Sequence, residues 1–291
     1  MPKKLFILLL VVFFCMNLAD TYFITNIYVD KFYRNDKDVV LAVLKNDPFR
    51  NKFSFIADES MKKDKPFVMA AMQISTNVLE YIDTSLKNDI DVVLAAVKSD
   101  GKQLKYASQP LKNNTKVVLA AIKQSPKAFM HASDLLKKDK KIVLAAISND
   151  ALMLRQVDKS FRKDKEVVLV ALQSAKFGEA GSIYKDIDVS LKKDTDLALA
   201  TIKRGSGMLG MIFDKSISKD KEFALAALKI SPYSFNHIDR SFRKDKTMMT
   251  EIFKYYNNKY DDEKVMLFLK TMVIDVVDES FRADLKKELG W

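Results

Sequence analysis

Nine joints of one kind recur along this chain. Aligned on an aspartate in a Lys-Asp-Lys-like setting, the anchors are Asp36, Asp64, Asp89, Asn114, Asp139, Asp164, Asp194, Asp220 and Asp245, and they lie 28, 25, 25, 25, 25, 30, 26 and 25 residues apart. The six residues Ser-Phe-Arg-Lys-Asp-Lys occur verbatim at Ser160–Lys165 and again at Ser241–Lys246, three periods later. A period held this closely marks a repeat array, in which each unit buries its apolar face against its neighbours rather than in one central core.

Each unit opens with an apolar block directly after its anchor. Examples are DVVLAAV from Asp91, KVVLAAI from Lys116, KIVLAAI from Lys141, EVVLVAL from Glu166 and EFALAAL from Glu222. The valines alone would suit a strand. The alanine pair favours helix, the anchor is a good N-cap, often followed by an acid in the first turn, and the block runs on into Lys, Gln or Ser instead of a turn. Six apolar positions in a row predict a helix covered nearly all round by neighbours. Ala42, Ala70, Ala95, Ala120, Ala145, Ala200 and Ala226 stand six residues past their anchors, with Val170 the exception. This column of small side chains is expected to be where successive units stack tightly.

A shorter helix follows. Ser125-Pro126 and Ser231-Pro232 read as an N-cap with proline at the first helical position, and Asp47-Pro48 plays the same part. Apolar pairs spaced by three, Leu79 with Ile82, Leu104 with Ala107, Phe129 with Ala132, Leu154 with Val157 and Phe235 with Ile238, mark one buried helix face. The unit closes on an Asp-x-Ser-apolar-basic joint at Asp83, Asp158, Asp188, Asp239 and Asp278. Its Asp or Ser is expected to cap a last short turn, and the apolar residue to plug back into the core. A leucine-rich repeat has a similar period, but no L-x-x-L-x-L-x-x-N pattern or asparagine column lines up. The expected fold is all-α: a solenoid of about nine two-helix repeats over residues 35–256, with a lead-in at 20–34 and capping helices at 257–291. Seven glycines and six prolines in 291 residues agree with long helical runs. Two places break the rhythm, KFGEAGS from Lys176 and RGSGMLG from Arg204.

Residues 1–19 read as a secretion signal. Lys3 and Lys4 precede the twelve apolar residues Leu5–Met16, and Ala19 offers a cleavage site. That run is short for a bilayer of ~30 Å, although an uncleaved anchor is the alternative because Tyr22–Val29 is again fairly apolar. The expected location is therefore secreted or envelope-facing. Cys15, the single cysteine, lies inside this segment and follows the bulky Phe14, a poor lipoprotein context. Cleavage after Ala19 leaves no cysteine for disulfides or thiol chemistry.

The D-x-E-V-V-L-A-A block, the short helix and the D-x-S-L-K-K joint together resemble a family of short helical repeats from bacteria, protists and large DNA viruses, catalogued as a domain of unknown function. The resemblance spans about residues 35–250 and is strongest at Asp89–Val97, Asp139–Ile147, Asp164–Leu172 and Asp220–Leu228. It implies the repeat fold, and it transfers no active site.

Two surface features repeat with the period. The first is basic. Lys62, Lys63, Lys87, Lys112, Lys137, Lys138, Arg162, Lys163, Lys192, Lys193, Lys219, Arg243 and Lys244 stand one or two residues before their anchors. Stacked in phase they would form a ridge suited to an anionic polymer or membrane surface. Flanking aspartates offset the ridge, and the aromatics beside it, Phe161 and Phe242, are expected in the core, which disfavours nucleic acid. The second lies eight residues before each anchor, where Tyr81, Tyr106, His131, Gln156 and His237 vary, with Ile56, Asp186 and Ile212 in the same phase. A column that varies while its neighbours stay fixed is where a solenoid can encode partner choice. With the two histidines four repeats apart, no zinc site is expected, and no cofactor either. RGSGMLG lacks the Gly-Lys-Ser/Thr ending of a phosphate loop. With two histidines and one cysteine, acid–base and nucleophilic catalysis have few candidates. The reading is a non-enzymatic interaction scaffold with a protein partner. Electrostatic attachment through the lysine ridge is the alternative.

Overall fold

The structure is a computed structural model and describes residues 35–46, 53, 57–205, 216–259, 277 and 279–289. The signal or anchor segment, the lead-in at 20–34, the Asp47-Pro48 start, Ile56, Ile212, Ser206–Gly210 and residues 260–276 lie outside these. Among the described residues every regular element is helical and none is a strand. The fold is an all-α repeat solenoid, seen within each of two compact units, Met1–Asn149 and Asp150–Trp291.

The first unit contains the long helices α1 (Lys37–Asn46), α2 (Lys65–Met72), α3 (Ile90–Ser99), α4 (Thr115–Gln124) and α5 (Lys140–Asn149). The second contains α6 (Lys165–Ser174), α7 (Thr195–Arg204), α8 (Lys221–Ile230), α9 (Lys246–Lys259) and α10 (Glu279–Leu289). Within each unit successive long helices pack on one another. Each of α1–α9 starts one residue after its anchor, because the anchor side chain supplies the acceptor that the first turn lacks. The Phe67 N–H donates to Asp64 Oδ1 at 2.8 Å, and the Asp91 and Val92 N–H groups donate to Asp89 Oδ1 at 3.0 and 3.2 Å. Asn114 serves α4 in the same way, taking the Val117 N–H at 3.2 Å.

The second segment is a 3₁₀ helix in several repeats: Gly101–Tyr106, Pro126–His131, Ala151–Arg155 and Pro232–Asn236. Five or six residues cannot close many α-type rings, and the tighter 3₁₀ turn suits such short pieces. Ser125 and Ser231 do sit at the N-cap with proline next, but their hydroxyls make no capping bond. The Ala128 and Ser234 N–H groups instead donate to the backbone carbonyls of those serines at 2.9 and 3.0 Å. The repeat with extra residues differs. Gly178 turns the chain with φ +87, and Ala180–Asp186 is an α-helix.

The joint is a third short helical piece. Asp158 Oδ1 accepts the Ser160 N–H at 2.8 Å, and Asp239 Oδ1 accepts that of Ser241 at 2.9 Å. Its apolar residue packs inward as expected. Met61, Leu86, Leu111, Leu136 and Ile217 are buried, and the bulkier Phe161 and Phe242 are half-buried.

One expectation about the core is corrected. The alanines six past the anchor, Ala95, Ala120 and Ala145 among them, are only half-buried. The tightly enclosed small column is one residue later: Ala71, Ala96, Ala121, Ala146, Ala171, Thr201 and Ala227. A step of one residue turns a helix by ~100°, so the two alanines face different ways. Thr201 is tolerated there because its hydroxyl donates to the Leu197 carbonyl at 2.8 Å. At the far end, Phe235, Met248, Met249, Ile252, Phe253 and Tyr256 form a core around α9, which continues past residue 256 to Lys259. Lys246 of α9 meets Asp284 of α10 at 2.8 Å.

Candidate functional site

The basic ridge separates into two columns with different surroundings. The cations two residues before the anchor, Lys62, Lys87, Lys112, Lys137, Arg162, Lys192 and Arg243, are all half-buried. Several fold back onto carbonyls at the end of the short helix in their own repeat. Lys87 Nζ donates to the Glu80 carbonyl at 2.7 Å, Arg162 Nη2 to that of Arg155 at 2.9 Å and Arg243 Nη2 to that of Phe235 at 3.1 Å. Cations in this place answer the unpaired carbonyls and the negative end of a helix. Lys62 meets Glu59 at 2.6 Å and Lys137 meets Asp134 at 3.5 Å. Burial pushes the Lys112 ammonium below its usual pKa.

The cations one residue before the anchor, Lys63, Lys138, Lys163, Lys193, Lys219 and Lys244, are exposed. Some face the joint of the next repeat. Lys63 lies 3.9 Å from Asp83 and Lys163 lies 3.8 Å from Asp188. Where the column carries asparagine, the opposing residue is serine: Ser108 Oγ donates to Asn88 Oδ1 and Ser133 Oγ to Asn113 Oδ1, each at 2.6 Å. Beside each pair runs a backbone bond between repeats. The N–H groups of Asp83, Ser108 and Ser133 donate to the carbonyls of Lys62, Lys87 and Lys112 at 3.1, 3.0 and 2.9 Å. In the second unit the Asp188 N–H donates to the Arg162 carbonyl at 3.0 Å and the Asp239 N–H to the Ser218 carbonyl at 2.9 Å.

The variable column sits on the edge formed by the short helices. Tyr81 and Gln156 are exposed, and Tyr106, His131, Asp186 and His237 are half-buried. Asp186 is held by Arg155. Tyr106 and His131 come together in one open groove between Gly101–Tyr106 and Pro126–His131, rimmed by Lys102, Lys105, Lys127 and Met130. Lys105 Nζ lies 4.8 Å from the centre of the Tyr106 ring. Burial lowers the His131 pKa, and Lys112, Lys105 and Lys137 add to the effect. His237 is in the other unit, and its pKa is lowered by burial alone. Among the described residues no group of three His, Cys, Asp or Glu side chains is placed to hold a metal ion, and no helix is long and apolar enough to cross a membrane.

A surface that the sequence reasoning missed lies on the long helices. Leu94, Leu119 and Leu144 stand five past their anchors and are partly open, Leu119 to 38%. With the half-buried alanines beside them they make an apolar strip across α3, α4 and α5. A groove at its start is lined by Met69, Met72, Leu94, Lys98 and Lys116 among others, with the acid Asp91 also on its wall. The surrounding sequence is unusually basic. Residues 89–149 hold eleven lysines against five acids, more than half of the chain's net charge of +11. An uninterrupted apolar run hides this strip, because it carries no phase. Only the packing of the neighbours reveals which leucine stays outside.

A family model described as a domain of unknown function, DUF4116, matches residues 36–87, 64–112, 89–137, 139–180 and 220–282. All five matches begin on an anchor, and residues 181–219, which include most of the glycine-rich stretch, are left between them. No curated protein and no solved structure matches the chain.

Proposed function

The chain belongs to the DUF4116 family, and from that starting point we propose that it is a non-enzymatic interaction scaffold that binds a protein partner through the column of Tyr81, Tyr106, His131, Gln156 and His237. One observation carries this reading. The outward residue changes from repeat to repeat, while the next residue, Ile82, Ala107, Ala132, Val157 or Ile238, stays buried and apolar. Within each unit a constant frame thus presents a changing row of side chains, and an extended partner reads that row. Within the first unit the groove holding Tyr106 and His131 is the main contact, since aromatic anchors beside polar groups dominate binding energy at such surfaces. The apolar segment Leu5–Met16 supports a secreted or envelope-facing setting, with the segment cleaved or kept as an anchor.

A second reading rests on the exposed column of Lys63, Lys138, Lys163, Lys193, Lys219 and Lys244. It attaches the chain to an anionic polymer or membrane surface, and it draws little on the half-buried cations, which are engaged within their own repeats.

The two readings separate in one experiment. The full chain, tagged, captures partners from envelope extract of its native host, with washes at low and high salt. The scaffold reading expects retention at high salt and loss on Tyr106→Ala with His131→Ala. The electrostatic reading expects release by salt and loss on reversing Lys63, Lys138, Lys163 and Lys193 to Glu. Retention by both variants sinks both readings.

A further inference from the structure

We propose that the apolar strip of Leu94, Leu119 and Leu144 is a docking surface for an acidic amphipathic helix. This goes beyond the reading above, for it uses the long helices and not the short-helix edge. The leucines of the strip lie on consecutive helices of one unit, each partly open, with half-buried Ala95, Ala120 and Ala145 alongside. Small neighbours leave the leucines standing proud, so an incoming apolar side chain can settle between them.

Charge selects the occupant. Lys98 and Lys123 stand on the C-terminal rim of the strip and Lys116 and Lys141 on the N-terminal rim, all four exposed. Among the described residues none of these four forms an ion pair. On α3 the N-terminal rim carries Asp91, whose carboxylate is already met by Lys65 at 3.2 Å, and on α5 the C-terminal rim carries Ser148. The corresponding places in the second unit differ: Glu166, Asp196 and Glu222 occupy the N-terminal rim there. Cations on both rims therefore flank Leu119 of α4, with Lys98 and Lys141 beside its two neighbours, and call for a partner with acids on both flanks of an apolar ridge.

Spacing selects a helix. Packed helices lie ~8–10 Å apart, so the leucines recur at that interval across α3, α4 and α5. A partner helix climbs ~10.5 Å in seven residues, which sets one apolar residue against each gap. This is the helix-in-groove mode of recognition.

The test uses the full chain and a labelled alanine-based helical peptide about three heptads long, with Leu at every seventh position and Glu on both sides of each Leu. Fluorescence anisotropy is read against a scrambled peptide of the same composition and against a copy with Lys in place of Glu. The proposal expects binding of the Leu/Glu peptide alone. Leu119→Asp should weaken it tenfold or more with thermal unfolding unchanged, since Leu119 is exposed. Lys116→Glu with Lys141→Glu should shift preference toward the Lys-flanked copy, and Leu199→Asp in the second unit should change nothing. No binding, equal binding of the scrambled peptide, or indifference to Leu119→Asp would overturn it. Tyr106→Ala should leave this peptide bound, so failure here is distinct from failure of the variable-column reading.

Discussion

Lys65 and Asp89 join two repeats through a single carboxylate. Asp89 Oδ2 takes the Lys65 ammonium at 2.7 Å, while Oδ1 caps α3 through the Asp91 and Val92 N–H groups at 3.0 and 3.2 Å. Lys37 with Asp64, Lys165 with Asp194 and Lys221 with Asp245 repeat the pairing. The helix before Asn114 begins with Ile90 instead of lysine, so the one anchor without a charge follows a helix start without one.

These pairs make stability depend on acid. The lysine hydrogen bond is the leading cause that holds Asp64, Asp89 and Asp245 below the usual carboxylate pKa. A depressed pKa contributes stability that is complete above the unfolded value of ~3.9 and is lost as pH falls through the folded value. Asp89→Asn should keep the cap, as Asn114 does, yet flatten the loss of stability below pH ~4. Asp89→Ala should cost a further ~1 kcal/mol at neutral pH through the lost cap. Chemical denaturation across pH checks both, and identical profiles for the Asn variant and the parent would refute the linkage.

The two alanines of one helix should respond differently to the same substitution. Ala121 is fully buried against neighbouring repeats and Ala120 is half-open. Ala121→Leu should destabilise by ~1–3 kcal/mol through overpacking, and Ala120→Leu by much less. Thermal or urea unfolding measures the contrast. Equal losses would mean the phase of α4 is wrong.

Gly101 marks a close approach of backbones. A Cβ there would run into the Ala121 carbonyl oxygen and lie 3.0 Å from Ser125 Cβ, and neither atom can swing aside. The Gly101 N–H also donates to Gln124 Oε1 at 2.7 Å, while Gln124 Nε2 donates to the Ser99 carbonyl at 3.2 Å. Gly101→Ala should therefore destabilise by ~1–3 kcal/mol, and hydrogen exchange should rise first in α3 and α4. An unchanged melting temperature would contradict the approach.

The histidines offer a check on local electrostatics. Both should titrate below ~6.5 by NMR, because burial disfavours the charged form of each. Lys112 and Lys105 press on His131 alone, so Lys105→Gln with Lys112→Gln should raise the His131 value and leave His237 where it is. The low pKa contributes stability present above the unfolded value and lost as the pH drops below it. Movement of both histidines together would show that the cause is not local.

Much of this architecture is legible in the residues because each unit repeats its local chemistry. Asp89 caps α3 and Leu86 plugs the joint for reasons visible within a few positions of each. The run VVLAA could not say which alanine is enclosed, since six apolar residues point in every direction. The behaviour of Arg162 and Lys87 was equally hidden. A long cation beside an aspartate reads as a surface ridge, and only the folded chain brings the carbonyls of Arg155 and Glu80 within its reach. Of the candidate site, Tyr106 and His131 share a groove as their common phase suggests, whereas the Leu119 strip needed the packed helices to appear.

The bond from the Ser108 amide to the Lys87 carbonyl, and its counterparts at Asp83 and Ser133, involve main-chain atoms only. The junction is accordingly blind to side-chain identity. Aspartate or serine donates it and lysine, arginine or serine accepts it, with the donor–acceptor distance held at 2.9–3.1 Å. Such a fastening lets whole periods be duplicated, deleted or shuffled by recombination without redesigning the contact, and it confines innovation to the residues that the fastening does not use.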